Sequence, residues 1–141
     1  MKPGVPGCVV LVVFAWSFVT AAHGQGRVAF SVYLDDARQS DVFVGDMGHD
    51  GKIKSVRNAT DSAGDDYGPS WSRDGRRLAF LSDRDGSRGL YVMDFDGPEP
   101  ANVRRVAGGA WGVAGWSPSG RQLVLDHVIS CLCLVLLIRL V

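Results

Sequence analysis

The sequence predicts an all-β fold, a partial β-propeller of about two four-stranded antiparallel blades plus an extra hairpin. Two observations predict it. Trp71-Ser72-Arg73-Asp74-Gly75-Arg76-Arg77-Leu78-Ala79-Phe80 returns 45 residues later as Trp116-Ser117-Pro118-Ser119-Gly120-Arg121-Gln122-Leu123-Val124-Leu125, and self-similarity at roughly that period marks stacked β-units. Short apolar runs are also punctuated by turn residues, with 18 glycines and 6 prolines in 141 residues, as in a turn-rich β protein.

The unit is most complete from Tyr67 to Gly109. A short strand leads into Trp71. Ser72-Arg73-Asp74-Gly75 makes a tight turn, because Asp bonds nearby backbone amides and Gly accepts positive φ. Arg77 to Ser82 forms the second strand, with Leu78 and Phe80 on one face, since side chains two apart in a strand point the same way. Asp83 to Gly89 is a polar loop and Leu90 to Asp94 the third strand. Asp96-Gly97-Pro98-Glu99-Pro100 is another turn, where proline removes backbone donors. Asn102 to Val106 is a fourth, more polar strand. Gly108-Gly109 breaks the pattern, and Trp111 to Trp116 opens the next unit. Trp71 and Trp116 end an inner strand at the same place in their units. Packing between blades is their expected role, with ligand stacking the alternative.

An earlier unit is visible in outline. Arg27-Val28-Ala29-Phe30-Ser31 matches Leu78 to Ser82, Asp41-Val42-Phe43-Val44 matches Leu90 to Met93, and His49-Asp50-Gly51 matches Phe95-Asp96-Gly97. Ile53 to Arg57 would be its outer strand. Its first strand and Trp-Ser turn are missing, so the mature chain is expected to begin inside a blade. Ahead of it stand Lys2, an apolar run from Cys8 to Ala22, and small residues flanking His23. This reads as a signal peptide over residues 1–24, cut near Gln25. The apolar run is shorter than the roughly 20 residues a spanning helix needs; a membrane anchor is the alternative.

The far end breaks the repeat. The partial propeller is expected over residues 25–126. From His127 the chain is almost entirely apolar to Val141, with only Ser130 and Arg139 polar after Val128. Such a run is either buried or prone to aggregate. Residues 127–141 are therefore expected to be a non-native end or, alternatively, a membrane tail. A propeller closes with typically four to eight blades, roughly 180 residues or more at this period. The expectation follows that the chain needs further blades or self-association.

Composition bears on function. Acidic and basic residues balance at 15 each, so no basic field points to nucleic acid. Beyond residue 24 the cysteines are Cys131 and Cys133. Two apart in a strand, they lack the geometry for a mutual disulfide. His49 and His127 stand alone, and two cysteines do not complete a zinc site. No metal or cofactor is expected.

The order of the turns resembles a known family. Trp-Ser-Pro-Asp-Gly, then Ser-Asp-Arg-Asp-Gly, then Leu-Tyr-Val-Met-Asp-x-Asp-Gly is similar to the repeat of TolB-like β-propellers. The best copy runs from Gly68 to Gly97. It has Arg73 in place of Pro and keeps Asp74, whereas the copy at Trp116 to Gly120 keeps Pro118 and has Ser119 in place of Asp. The resemblance covers roughly residues 27–126. It implies a secreted or periplasmic propeller that docks other proteins or carries a neighbouring catalytic domain, with no chemistry in the blades.

Each motif that could carry chemistry has a structural counterpart. Gly115-Trp116-Ser117-Pro118-Ser119 approaches a nucleophile elbow, but it lacks the second Gly and is followed by a strand where the elbow needs a helix. Asp83-x-Asp85-Gly86 and Asp94-x-Asp96-Gly97 begin like calcium loops without the further ligands, so turn-making is expected. Asp35-Asp36 and Asp65-Asp66 face opposite ways within each pair and make no acid/base dyad; solvated loop carboxylates are expected. Gly108 to Gly112 lacks the Lys-Ser/Thr ending of a phosphate loop. Asn58-Ala59-Thr60 fits the glycosylation acceptor pattern.

No catalytic, cofactor-binding or metal residue is therefore assigned. The expected function is an exported, non-enzymatic protein-interaction scaffold with an unidentified protein partner, recognised through loops such as Asp83 to Gly89 and Asp96 to Pro100. The alternatives are the propeller part of a secreted prolyl-oligopeptidase-like hydrolase lacking its catalytic domain, and a small protein attached to a membrane through its apolar tail.

Overall fold

The computed structural model describes residues 20–21, 26–34, 38–97, 99–109, 112–129 and 132–140. The expected signal peptide lies outside these residues except for Thr20 and Ala21. Among the described residues there are strands and no α-helix. β1 (Thr20–Ala21), β2 (Arg27–Leu34), β3 (Gln39–Met47) and β4 (Ile53–Asn58) pair in that order as the first sheet. β5 (Asp66–Trp71), β6 (Arg77–Ser82), β7 (Gly89–Asp94) and β8 (Ala101–Gly108) pair in that order as the second. β9 (Gly112–Trp116), β10 (Gln122–Ile129) and β11 (Leu132–Arg139) make the third, with β10 central. All pairings are antiparallel. Two four-stranded sheets and a third that contains the expected hairpin are a partial propeller.

The sheets stack. β5 packs on β2 and β3, and β9 packs on β5 and β6. Alternation along β6 and β7 explains the stacking. Leu78 and Phe80, with Tyr91 and Met93, turn to the first sheet and meet Ala29, Val42, Val44 and Ala59. Ala79 and Leu81, with Leu90 and Val92, turn to the third sheet and meet Leu123, Trp116 and Ile138. A sheet covered on both faces needs apolar residues at consecutive positions, and this is why Leu78–Leu81 and Leu90–Met93 read as continuous runs. The first joint sets large side chains of the second sheet against smaller ones of the first.

The tryptophans occupy successive joints, as expected. Trp71 is 6% exposed and meets the Phe95 ring edge-on, centroids 4.9 Å apart. Trp116 packs at the second joint, where its Nε1 donates to Ser70 O at 2.9 Å. One element thus ties two sheets by packing and by a hydrogen bond.

Register corrects the alignment of the first unit by one residue. Arg27 pairs with Asp46 and Ala29 with Val44, as Arg77 pairs with Asp94 and Ala79 with Val92. Val28-Ala29-Phe30 therefore corresponds to Leu78-Ala79-Phe80, and Val42-Phe43-Val44 to Leu90-Tyr91-Val92. The offset matters because a slip of one position exchanges the faces of a strand. The correspondence extends to the outer strands. Ser55 and Asn102, with φ of 53° and 52°, start bulges at matching places in β4 and β8, since a left-handed residue lets two residues oppose one.

Two further differences lie at the ends. The first sheet does have a leading strand, because Thr20 and Ala21 pair with Ala29 and Val28. At the other end, β10 continues through position 126 to Ile129 and returns as β11, whose Arg139 pairs with Gln122. Among the described residues no helix is long and apolar enough to cross a membrane.

Candidate functional site

Hairpin connections project from two opposite ends of the stacked sheets. At one end lie the turns 72–76, 95–100 and 117–121; at the other lie 59–65 and 83–88. The two loops expected to share a binding surface, Asp83 to Gly89 and Asp96 to Pro100, are thus at opposite ends and do not form one surface.

The turns of the first end repeat bond for bond. Gly75 N donates to Ser72 O at 2.9 Å and Gly120 N to Ser117 O at 2.9 Å. Arg77 N donates to Ser72 Oγ at 2.9 Å, and Gln122 N to Ser117 Oγ at 3.1 Å. Gly75 and Gly120 have φ of 69° and 66°, a region an L-residue enters only with strain. Ser72 Oγ donates to Asp74 Oδ1 at 2.7 Å, which also accepts from Arg76 N at 3.1 Å. Ser119 takes the place of Asp74, its Oγ 3.1 Å from Ser117 Oγ. Ser117 is therefore a turn-former followed by β10, with its Oγ committed to the hairpin.

The Ser72 hydrogen bond, helped by the Arg76 amide and charge and opposed by burial, holds the Asp74 carboxyl below the usual carboxylate range. A lowered folded-state pKa contributes stability that is present above the unfolded value and lost as pH falls through the folded one. Asp74→Asn is expected to lower the melting temperature slightly at neutral pH, where the carboxylate's contribution is present, and to leave it nearly unchanged at acid pH, so that the acid limb of melting temperature against pH is flattened.

Asp74, Arg76, Arg77, Asp94 and Asp96 line a shallow depression of about 210 Å³ at this end. Its charges are largely engaged. Arg77 lies 3.8 Å and Arg104 3.2 Å from Asp94. Small-molecule pockets are typically larger, about 300–1,000 Å³, and mostly apolar.

The opposite end is built on buried polar groups. Asp66 is fully buried, which corrects the expectation of a solvated loop carboxylate; Asp65 is exposed, and Asp35 and Asp36 lie outside the described residues. Arg84 Nη2 reaches both Asp66 oxygens, at 3.0 and 3.1 Å. Ser62 Oγ donates to Asp66 Oδ2 at 2.7 Å, and Arg84 Nε to Ser82 Oγ at 2.9 Å. The Arg84 guanidinium lies 5.1 Å from the Phe80 ring centre and 5.2 Å from that of Tyr91. Burial, and the hydrogen bond the Tyr91 hydroxyl donates to Asp85, push that hydroxyl up to about 12. The 83–88 loop is thereby held at both its arginine and its second aspartate, leaving Gly86, Ser87 and Arg88 exposed.

Three of the four calcium-like aspartates are engaged in the same way, and Asp96 is exposed. Asp83 accepts from Asp65 N at 2.8 Å, Asp85 accepts from Tyr91, and Asp94 binds Arg104 and Asn102. Among the described residues no three His, Cys, Asp or Glu side chains are grouped to hold a metal.

Asn58, the glycosylation candidate, works inside the fold. Its Nδ2 donates at 2.6 Å to Asp41 Oδ2, on a fully buried carboxylate. Its Oδ1 accepts from Thr60 N and Asp61 N, each at 3.1 Å. Nothing in the sequence marked Asp41; a single Asp entering an apolar strand was the available signal. Asn58→Ala removes one donor to a buried carboxylate that Gln39 Nε2 also reaches at 3.2 Å, and is expected to cost about 1–3 kcal/mol, measured by urea unfolding.

No protein-family model matches the chain. Among solved structures, TolB from Acinetobacter baumannii superposes with a TM-score of 0.62 over 86% of this chain and 29% of its own, at 22% identity. The fold is part of a TolB-like β-propeller. A TolB-like segment is also evident in sequence: 40% of the chain is 38% identical, over 58 residues, to the Tol-Pal system protein TolB of Alcanivorax borkumensis, of which this covers 13%. A segment of 60 residues, 40% of the chain, is 42% identical to the uncharacterized peptidase YuxL of Bacillus subtilis, of which it covers 9%. A prolyl endopeptidase structure superposes with a TM-score of 0.52 over 75% of the chain and 16% of its own, at 18% identity. The chain spans less than a third of the length of each of these proteins.

Proposed function

We propose that this chain is part of an exported β-propeller that works in the periplasm or outside the cell as a non-catalytic scaffold for a protein partner. The observation that carries the proposal is the 83–88 loop. A TolB-like sheet holds it through the buried Asp66–Arg84 pair and presents Asp85, Gly86, Ser87 and Arg88 to solvent. Recognition by loops on a rigid scaffold suits protein docking, and the Alcanivorax relative is by name a component of the Tol-Pal system. Export is supported by the residue pattern of positions 1–24.

Two measurements test this. N-terminal sequencing of the chain recovered from a fractionated bacterial host is expected to start near Gln25 in the exported fraction; retention of Met1 in the cytosol contradicts export. A photo-crosslinking amino acid at Ser87 is expected to give a discrete protein adduct in cells, and a chain that yields none contradicts the docking role.

The likeness to YuxL and to a prolyl endopeptidase favours a second reading, in which these sheets are the propeller part of a secreted hydrolase. Gene sequence continuing beyond Val141 into a nucleophile-elbow domain would establish that reading. Further propeller repeats alone would favour the scaffold.

A further inference from the structure

We propose that Asp96-Gly97 is a site of spontaneous isomerisation, at which the main chain is rerouted through the aspartate side chain. The chain has four Asp-Gly pairs: Asp50-Gly51, Asp74-Gly75, Asp85-Gly86 and Asp96-Gly97. In such a pair the glycine nitrogen can attack the preceding side-chain carboxyl, because glycine has no side chain to hinder the approach. The nitrogen loses its proton and bonds to Cγ, a carboxyl C–O bond breaks, and water leaves, giving a five-membered succinimide. Water then adds back at either ring carbonyl. One opening restores aspartate. The other leaves isoaspartate, whose peptide link runs through Cβ and Cγ, and the net composition is unchanged.

The fold restrains three of the four pairs at both reacting groups. Gly51 N donates to Gly48 O at 2.9 Å, Gly75 N to Ser72 O at 2.9 Å and Gly86 N to Asp83 O at 2.8 Å. Each of these glycines sits in a turn, with φ of 73°, 69° and 80°. Their carboxylates are held as well. Asp50 accepts from Lys52 N at 3.2 Å and lies 3.5 Å from Lys54 Nζ. Asp74 accepts from Ser72 Oγ at 2.7 Å and from Arg76 N at 3.1 Å. Asp85 accepts from the Tyr91 hydroxyl.

Asp96-Gly97 carries neither restraint. Among the described residues Gly97 N donates no hydrogen bond, and the Asp96 carboxylate makes no hydrogen bond or ion pair. Asp96 is exposed. Nothing lies within 4 Å of where a Cβ on Gly97 would stand, and the contact from Arg27 Nη2 to Gly97 O is long, at 3.5 Å. The turn therefore has room to bring nitrogen and Cγ together. The residue before it is fixed, because Phe95 N donates to Arg76 O at 2.7 Å and its ring packs on Trp71. Isomerisation thus lengthens the main chain by one carbon just past the joint and leaves the sheets in place.

The purified chain, kept folded at neutral pH in heavy-oxygen water and then digested for mass spectrometry, tests this. The segment holding Asp96 is expected to gain heavy oxygen and the fragmentation signature of isoaspartate. It should do so at least about tenfold faster than the segments holding Asp74 or Asp85, which must first release a hydrogen bond to a charged group. In urea, where the restraints of the fold are gone, the four pairs should react at similar rates. Gly97→Ala should suppress the reaction at Asp96 without moving the melting temperature. Absence of isoaspartate at Asp96 in the folded chain, reaction at Asp74 or Asp85 as fast as at Asp96, the same preference persisting in urea, or a Gly97→Ala chain that reacts like the wild type would each overturn the proposal.

Discussion

Phe80→Ala is expected to destabilise the chain by about 3–5 kcal/mol, the usual cost of truncating a fully buried aromatic. Phe80 has no exposed surface, stacks on Tyr91, and lies beneath the Arg84 guanidinium. Its loss opens a cavity at the joint between the first two sheets and leaves Arg84 without one face of its platform. Small domains are stable by only about 5–15 kcal/mol, so the variant should unfold at far lower denaturant or fail to accumulate. Phe80→Leu, which keeps much of the volume, should recover a large part of the loss. Equilibrium urea unfolding of the two variants decides between this and a peripheral role, for which both would match the wild type.

Asp66→Ala is expected to cost about 3 kcal/mol or more, because it leaves a guanidinium without its buried counter-ion. Asp66 has no exposed side-chain surface and Arg84 only 18%, so water compensates little. The pair also anchors the 83–88 loop, so amide exchange of Asp83 to Arg88 should accelerate beyond the global change. The neutralised pair Asp66→Ala/Arg84→Met should be less damaged than Asp66→Ala alone, because no unpaired charge remains. Equal stability of the single and double variants would show the ion pair to be ornamental.

The hairpins were legible in the sequence because turn chemistry is local. Ser72, Asp74 and Gly75 each have one physical duty in the turn, and the second copy preserves the geometry with Ser119. The continuous apolar runs of β6 and β7 were legible as strands for their length, while their burial on both faces followed only from the stack. The one-residue offset in the first unit had a simple origin. Matching Ser31 to Ser82 shifts the unit by one, whereas the shared Ala-Phe of Val28-Ala29-Phe30 and Leu78-Ala79-Phe80 agrees with the hydrogen-bond register.

β1 lies within the run read as a signal peptide and would leave with it on cleavage near Gln25, and β11 lies in a run without the alternation that marks a strand face. The site was less legible than the fold. Asp65 and Asp66 are neighbours of identical type, yet one is exposed and the other fully buried. The difference is made by Arg84, 18 residues away, a distance at which local pattern carries no information. The separation of the 83–88 and 95–100 loops to opposite ends is a consequence of antiparallel connection, available from the strand order already assigned.

Nuclear Overhauser contacts in the labelled chain test most directly whether one Trp-and-turn unit lays down successive sheets. Cross-strand contacts are expected for Trp71 with Leu78 and for Trp116 with Leu123, together with a contact from the Trp116 indole N–H to Ser70. Sequential amide contacts typical of helix over 66–82 or 112–126, or the first pair present without the second, would contradict it.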